Sequence, residues 1–287
     1  MPDPEPSNVL RALLNLHEAG TGSVESRGDS HNRANEVGDG LEYYVKDLFA
    51  GCPGEESAAA RADAYAAALS YEGGQATPPD LMVRGGAAVE VKKVESGSGA
   101  LALNSSYPKR VLKVTDDMVS EKCRSAEDWR EKDFVYAVGV VRDGALRDLW
   151  FVYGDCYAAP AAHYQRIEQA IADGLKAIPG VRFSKTRELG RVNDADPLKL
   201  TDLRVRGMWQ IQHPSKAFGY LLDGAPRGEN LTAHALMRQA TYEALPAAER
   251  RRCERLSGGA LTLRDVQIPD PGEPGSKLGA RLVTLAL

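Results

Sequence analysis

The stretch PPDLMVRGGAAVEVKKV, residues 78–94, decides how this chain is read. Residues 80–84 and 87–92 are short β-prone runs separated by Gly85-Gly86, the pattern of two strands joined by a tight turn. Alternation along the second run places Glu90 and Lys92 on one face and Val89 and Val91 on the other. Two polar groups therefore converge while two valines enter a core. With residues 80–84 as the partner strand, Asp80 lies across from Glu90, and the pair offers hard oxygen ligands to a divalent cation. The motif is Pro79-Asp80, nine intervening residues, then Glu90-Val91-Lys92.

That set of groups suits phosphodiester hydrolysis. The reaction needs an activated water in line with the leaving oxygen and positive charge near the developing pentavalent phosphorus. Mg²⁺ keeps several waters and uses one or two protein carboxylates, so Asp80 and Glu90 suffice as anchors, and the Val91 carbonyl is a further candidate ligand. Lys92 is suited to positioning the water or stabilising the phosphate. The bland alternative is an edge strand with Glu and Lys facing solvent, which the same letters also describe.

Upstream, residues 7–20 read as a short amphipathic helix with Ser7 as its cap and Val9, Leu10, Leu13 and Leu14 as its apolar side. Residues 21–32, rich in Gly, Ser and charge, read as a loop. A second helix follows at 35–49, with Val37, Leu41, Tyr44, Val45 and Leu48 on one stripe. Glu42 sits at the margin of that stripe. It is either an additional acid of the catalytic set or an ordinary partner of Lys46 at i+4; Glu36 and Asp39 are weaker candidates. The alanine-rich run ESAAARADAYAAALSY (56–71) is expected to form a third helix, closed by Gly73 and Gly74.

Downstream, strands are expected at 134–141 and 149–154 with a turn at Asp143-Gly144, and a helix at 160–178. The first of these strands is almost continuously apolar, as a strand covered on both faces should be. Residues 203–211 alternate like a strand until Gly207, and the chain ends in an expected strand, ARLVTLAL.

Two segments are equipped to hold nucleic acid. Asn104, Ser105, Ser106, Tyr107, Lys109 and Arg110 follow directly after the motif and can reach phosphates or base edges, although Asn-Ser-Ser and Tyr-Pro also simply favour a turn. In LRVRGMWQIQHPSK (203–216), Arg204, Arg206, Gln210, Gln212, His213 and Lys216 supply donors around Trp209. A buried Trp209 beside solvated arginines gives the same letters. His31, His163 and His213 form no recognisable metal or triad set.

The bulk properties permit this without requiring it. The chain has 287 residues, 43% hydrophobic and 26% charged, with a formal net charge of −4, so a coating of positive charge is excluded and local clusters must do the binding. Cys52, Cys123, Cys156 and Cys253 are scattered singly, against a structural zinc or a disulfide framework. No run approaches the ~20 apolar residues of a membrane span, and the start MPDPEPSNVL lacks signal-peptide features, so a cytoplasmic location is expected.

NRANEVGDGLEYYVKDLFAG, PPDLMVRGGAAVEVKK, ALNSSYPK, LWFVYGDCY, ELGRVNDADPL and LRVRGMWQI together resemble the NgoPII-type family of type II restriction endonucleases, over roughly residues 8 to 220. The resemblance implies an α/β PD-(D/E)xK restriction-endonuclease-like fold, a central mixed β-sheet flanked by helices. It also implies Mg²⁺-dependent cutting of double-stranded DNA at a short palindrome, GGCC in that family, with Asp80, Glu90 and Lys92 as the catalytic set. A palindrome with two scissile bonds suits a two-fold homodimer, and a companion DNA methyltransferase is implied as well. One nuclease domain over 1–287 is expected, with a catalytic core at about 35–180 and a recognition region at about 181–287. A structure-specific nuclease of repair or recombination, or a DNA-binding protein with an inactive centre, are the alternatives.

Overall fold

The run at 78–94 folds into the hairpin that its alternation demands, and a nine-stranded mixed sheet is assembled around it among the described residues. The structure is a computed structural model describing residues 6–20, 33–74, 77–97, 99–186 and 189–287. The expected loop at 21–32, with His31, lies outside the described residues, as do the side chains of Glu36, Val37 and Asp39.

Helix α1 (Val9–Ala19) starts at Asn8, not Ser7: the Asn8 side chain accepts from the backbone N–H groups of Leu10 and Arg11 at 3.0 and 3.1 Å. The Ser7 hydroxyl is taken by the Phe49 carbonyl at 2.6 Å, which leaves the cap to its neighbour. Helix α2 (Arg33–Ala50) buries Leu41, Tyr44, Val45 and Leu48, the expected stripe, against α1 and the sheet. Helix α3 (Ala58–Ala68) is shorter than expected, because the chain from Leu69 onward is strand β1 (Leu69–Gly74). Leu69 and Tyr71 are buried there and pair with β2 (Thr77–Val83), a tertiary gain that outweighs the helix propensity of the preceding alanines.

The chain continues as β3 (Ala88–Val94), β4 (Ala100–Asn104), β5 (Val111–Lys113), α4 (Glu121–Arg124), β6 (Glu131–Arg142) and β7 (Ala145–Tyr153). Asp143 and Gly144, both at positive φ (51° and 73°), make the tight turn expected between β6 and β7. Next come α5 (Gly154–Tyr157) and α6 (Ala161–Lys176), then a small sheet of β8 (Arg182–Ser184), β9 (Gly190–Asn193) and β10 (Leu203–Val205). Strand β11 (Trp209–Gln212) pairs with β4 in a separate two-stranded ribbon, so the alternation read up to Gly207 is β10 and the residues after it form a second strand in another sheet. Helix α7 (Pro214–Ala217), a 3-10 turn (Gly219–Leu222), β12 (Thr232–Arg238), α8 (Gln239–Ala244), α9 (Ala247–Leu256), β13 (Leu261–Pro269) and β14 (Lys277–Ala286) complete it.

The large sheet runs β1-β2-β3-β6-β7-β12-β14-β13, with β5 added on β6; β3 is parallel to β6 and β7 to β12, and the other pairs are antiparallel. One face packs Val89, Val135, Ala137 and Phe151 under α1, α2, α8 and α9. The opposite face carries Met82, Ala88, Tyr136, Val138 and Trp150 and is covered by Leu101, Leu103 and the Phe218–Leu222 stretch. This is the two-sided cover that the apolar run of β6 called for. The four cysteines are free, and no helix among the described residues is long and apolar enough to cross a membrane.

Candidate active site

Asp80, Glu90 and Lys92 come together on the second of these faces. Asp80 shares the face of Met82, and Glu90 and Lys92 share that of Ala88, because each lies an even number of residues away. The β2–β3 ladder pairs Leu81 with Val89 and Met82 with Ala88 and then stops. Beyond it the strands splay, and the Val91 N–H that the ladder leaves free donates to Asp80 Oδ2 at 2.6 Å. The Lys92 ammonium donates to Glu90 Oε1, also at 2.6 Å. Glu90 Oε2 is buried and has no hydrogen-bond partner.

Electrostatics at this point are unbalanced. Burial and then the neighbouring Glu90 carboxylate push the Asp80 pKa well above the usual range; Lys92 and the Val91 N–H offset this only in part, and Glu42 adds to it. Burial works against the Lys92 ammonium, but the Glu90, Asp80 and Glu42 charges prevail and hold its pKa above the ordinary lysine value. Two carboxylates and one ammonium thus share a desolvated spot, with one carboxylate oxygen orphaned. Leaving such an atom unsatisfied costs about 1–3 kcal/mol or more. A hard divalent cation relieves both defects, so the donor set fits Mg²⁺. No group of three or more His, Cys, Asp or Glu side chains placed for a metal occurs among the described residues, and an ion that keeps its waters does not require one.

Glu42 reaches this centre from α2, on the other side of the sheet. Its carboxylate is held by the buried Lys46 at 2.9 Å, the i+4 pairing, and Lys46 also reaches Glu72 of β1 at 3.3 Å. The i+4 pairing is therefore present, and the Glu42 charge also bears on Asp80 and Lys92.

The loop after β4 closes one side of the site. Ser106 and Tyr107 line a shallow cleft together with Pro78, Glu90, Leu103, Lys109, Phe134 and Tyr136. Ser105 and Arg110 are half-buried nearby, and Asn104 ends β4 with its side chain outside the described set. Lys109 departs from expectation. Its ammonium is buried in an ion pair with Asp116 at 3.0 Å and lies over the Tyr107 ring, and its N–H donates to the Tyr136 hydroxyl at 2.7 Å, so it braces the loop.

In the second segment, Arg204, Arg206, Gln210, Gln212 and Lys216 are exposed. Trp209 is half-buried: it stands edge-on to Tyr164 (5.4 Å between centroids) and Tyr107 (6.4 Å) and donates to Glu168 at 3.3 Å. It anchors the ribbon to α6. His213 corrects the expectation most sharply, being fully buried, with Nδ1 accepting from the Ser215 N–H at 3.1 Å as the cap of α7; it presents nothing to a base edge. The residues that sequence reasoning passed over are Glu72, Tyr136, Tyr164 and Glu168. Glu72 comes in through β1 and its ion pair with Lys46, and the others meet the site only through the register of β3 on β6 or the docking of α6.

Comparison with known proteins supplies the remaining information. The NgoPII restriction endonuclease family model matches residues 7–269. The chain is similar to the type II restriction enzyme NgoPII of Neisseria gonorrhoeae, with 41% identity over 283 residues, 98% of this chain and the whole of that one. No solved structure matches. The strand-end pair of acids with its lysine thus stands in a chain whose likeness extends from end to end, and the chain belongs to the NgoPII restriction endonuclease family.

Proposed function

We propose that this protein is a type II restriction endonuclease that hydrolyses both strands of DNA at a short palindrome, GGCC by the family resemblance, with Asp80, Glu90 and Lys92 as catalytic residues. The observation that carries the reading is the convergence of these three groups at the splayed end of the β2–β3 hairpin, with Glu90 Oε2 left without a partner. Asp80 and Glu90 are the ligands for Mg²⁺, with the Val91 carbonyl as a third; the ion supplies positive charge at the phosphate and lowers the pKa of water. Lys92, kept protonated by the surrounding acids, donates to the phosphate oxygens as negative charge builds on them. Glu42 steadies the ammonium from behind.

Attack by water forms one P–O bond and breaks another, leaving a phosphate monoester and a hydroxyl on each cut strand. Two cuts related by a dyad call for a homodimer, and survival of the host's own sites calls for a companion DNA methyltransferase acting in the same compartment, the cytoplasm. The test is digestion of a sequenced plasmid with Mg²⁺ or EDTA, followed by sequencing of the ends. Discrete Mg²⁺-dependent bands are expected from the wild type. Asp80→Ala and Lys92→Ala are each expected to lower the cleavage rate by at least ~10²-fold while DNA binding in Ca²⁺ persists. Cutting that survives both substitutions would refute the assignment.

A further inference from the structure

We infer that the outer face of the β4–β11 ribbon enters the DNA major groove and reads base edges through Gln210 and Gln212. The inference rests on the proposed cleavage of duplex DNA and concerns how the site is chosen.

The ribbon is a two-stranded unit separate from the large sheet, and a two-stranded β-ribbon has the dimensions that the major groove admits. Its two faces differ. Leu101 and Leu103 are buried and Trp209 and Ile211 half-buried on the underside, against the sheet face that carries Glu90 and Lys92. Ala100, Ala102, Gln210 and Gln212 are exposed on the outside. Gln210 is paired with Ala102 and Gln212 with Ala100, so each long amide stands across from a methyl group that leaves room for a base pair to approach.

Exposed ribbons are ordinarily protected from strand addition by charged side chains, and this outer face carries none. An uncharged amide face is suited instead to a partner with donors and acceptors of its own. A glutamine Nε2 donates to guanine N7 or O6, and its Oε1 accepts from cytosine N4, so both ends find partners at G·C steps in the major groove.

Position agrees with chemistry. Leu103 of the ribbon and Ser106 just beyond it line the cleft that contains Glu90. Four residues from Ala102 to Ser106 span at most ~13 Å, which is about four base steps at ~3.4 Å each, the scale of a short recognition site. The ribbon is also held rigid, by the Tyr157 hydroxyl donating to the Gln212 carbonyl and by Trp209 locked on Tyr164 and Glu168.

The test uses the full-length protein in Ca²⁺ and two short duplexes. One contains the sequence at which the wild type cuts a plasmid; the other has the same composition without it. Gln210→Ala and Gln212→Ala are each expected to reduce the affinity ratio between the duplexes by about 10- to 100-fold, with binding to the second duplex and its salt dependence unchanged. Ala102→Phe, a bulky group on the same exposed face, is expected to remove the preference without altering the melting temperature. Discrete cutting by the wild type with an unaltered ratio in all three variants overturns the ribbon as the reader and leaves the nuclease reading intact. Wild-type protein that cuts at no discrete site overturns both.

Discussion

Glu90 holds the Lys92 ammonium with one carboxylate oxygen and leaves the other buried without a partner, while Asp80, next to it, resists ionisation because of burial and because of Glu90 itself. Cation binding here should therefore be visible as stability as well as activity. An ion that binds the folded state alone stabilises it by about 1.4–2.7 kcal/mol at ten to a hundred times its dissociation constant. At roughly 2–4 °C per kcal/mol, Mg²⁺ is expected to raise the wild-type melting temperature by several degrees. The Glu90→Gln variant keeps the shape but replaces the charged ligand, and should show no Mg²⁺-dependent shift in the same melting experiment. An equal shift in both proteins would place the bound ion elsewhere. At this scale the sequence was legible: the alternation of Glu90 and Lys92 and the position of Asp80 follow from strand geometry alone, since a period of two leaves no choice of face once the hairpin forms. His213 and Lys109 were not legible, because burial of a polar side chain depends on how the folded chain packs around it, as Asp116, Tyr107 and Tyr136 do around Lys109.

Among the elements, β1 does the most to place Asp80. It passes so close behind β2 that a methyl group on Gly73 would fall onto the Pro79 carbonyl oxygen and sit 2.9 Å from that of Asp80, both backbone atoms that cannot swing aside. Gly74, one residue on, faces open space. Gly73→Ala is thus expected to destabilise the protein by about 1–3 kcal/mol and to slow cleavage at least ~10-fold by shifting the Asp80 strand, whereas Gly74→Ala leaves both near wild type. Denaturant melts and plasmid cleavage rates measure the two effects, and similar behaviour of the two variants would show that β1 does not position the acid. The two glycines were first read as the end of a helix. An alanine-rich run running into Leu-Ser-Tyr has helical letters throughout, and only the pairing of Leu69 and Tyr71 with β2 turns its last part into a strand. The same holds for residues 203–211, where alternation is genuine but Gly207 separates two strands that join different sheets.

Across the whole molecule, the last quarter of the chain is structural material for the site. Strand β12 inserts between β7 and β14, parallel to β7, and α9 returns to α1, where Arg11 pairs with the buried Glu249. Only two strands, β6 and β7, therefore separate the active-site strand β3 from a part of the sheet built from residues 232–286. Removing everything after residue 220 would uncover the apolar edge of β7, including Phe151 and Val152, which are fully buried. Such a truncation is expected not to fold, and the intact chain is expected to melt in a single transition by both far-ultraviolet circular dichroism and tryptophan fluorescence. Two separated transitions would mean that the recognition region and the catalytic core are independent units.

The sequence by itself determined the local matters: which residues face together along β3, where the 143–144 turn falls, which stripe of α2 enters the core, and, through long shared strings, the family. Those depend on neighbours a few positions apart, whose geometry the backbone period dictates. Tertiary structure alone decided that β12 lies inside the sheet between β7 and β14, that the Glu42 charge bears on Asp80 and Lys92, that His213 is buried, and that Gln210 and Gln212 share an outward face with two alanines. Each of these is settled by contacts between segments distant in the chain, and the free energy of such contacts comes from surfaces that exist only once the sheet has closed around them.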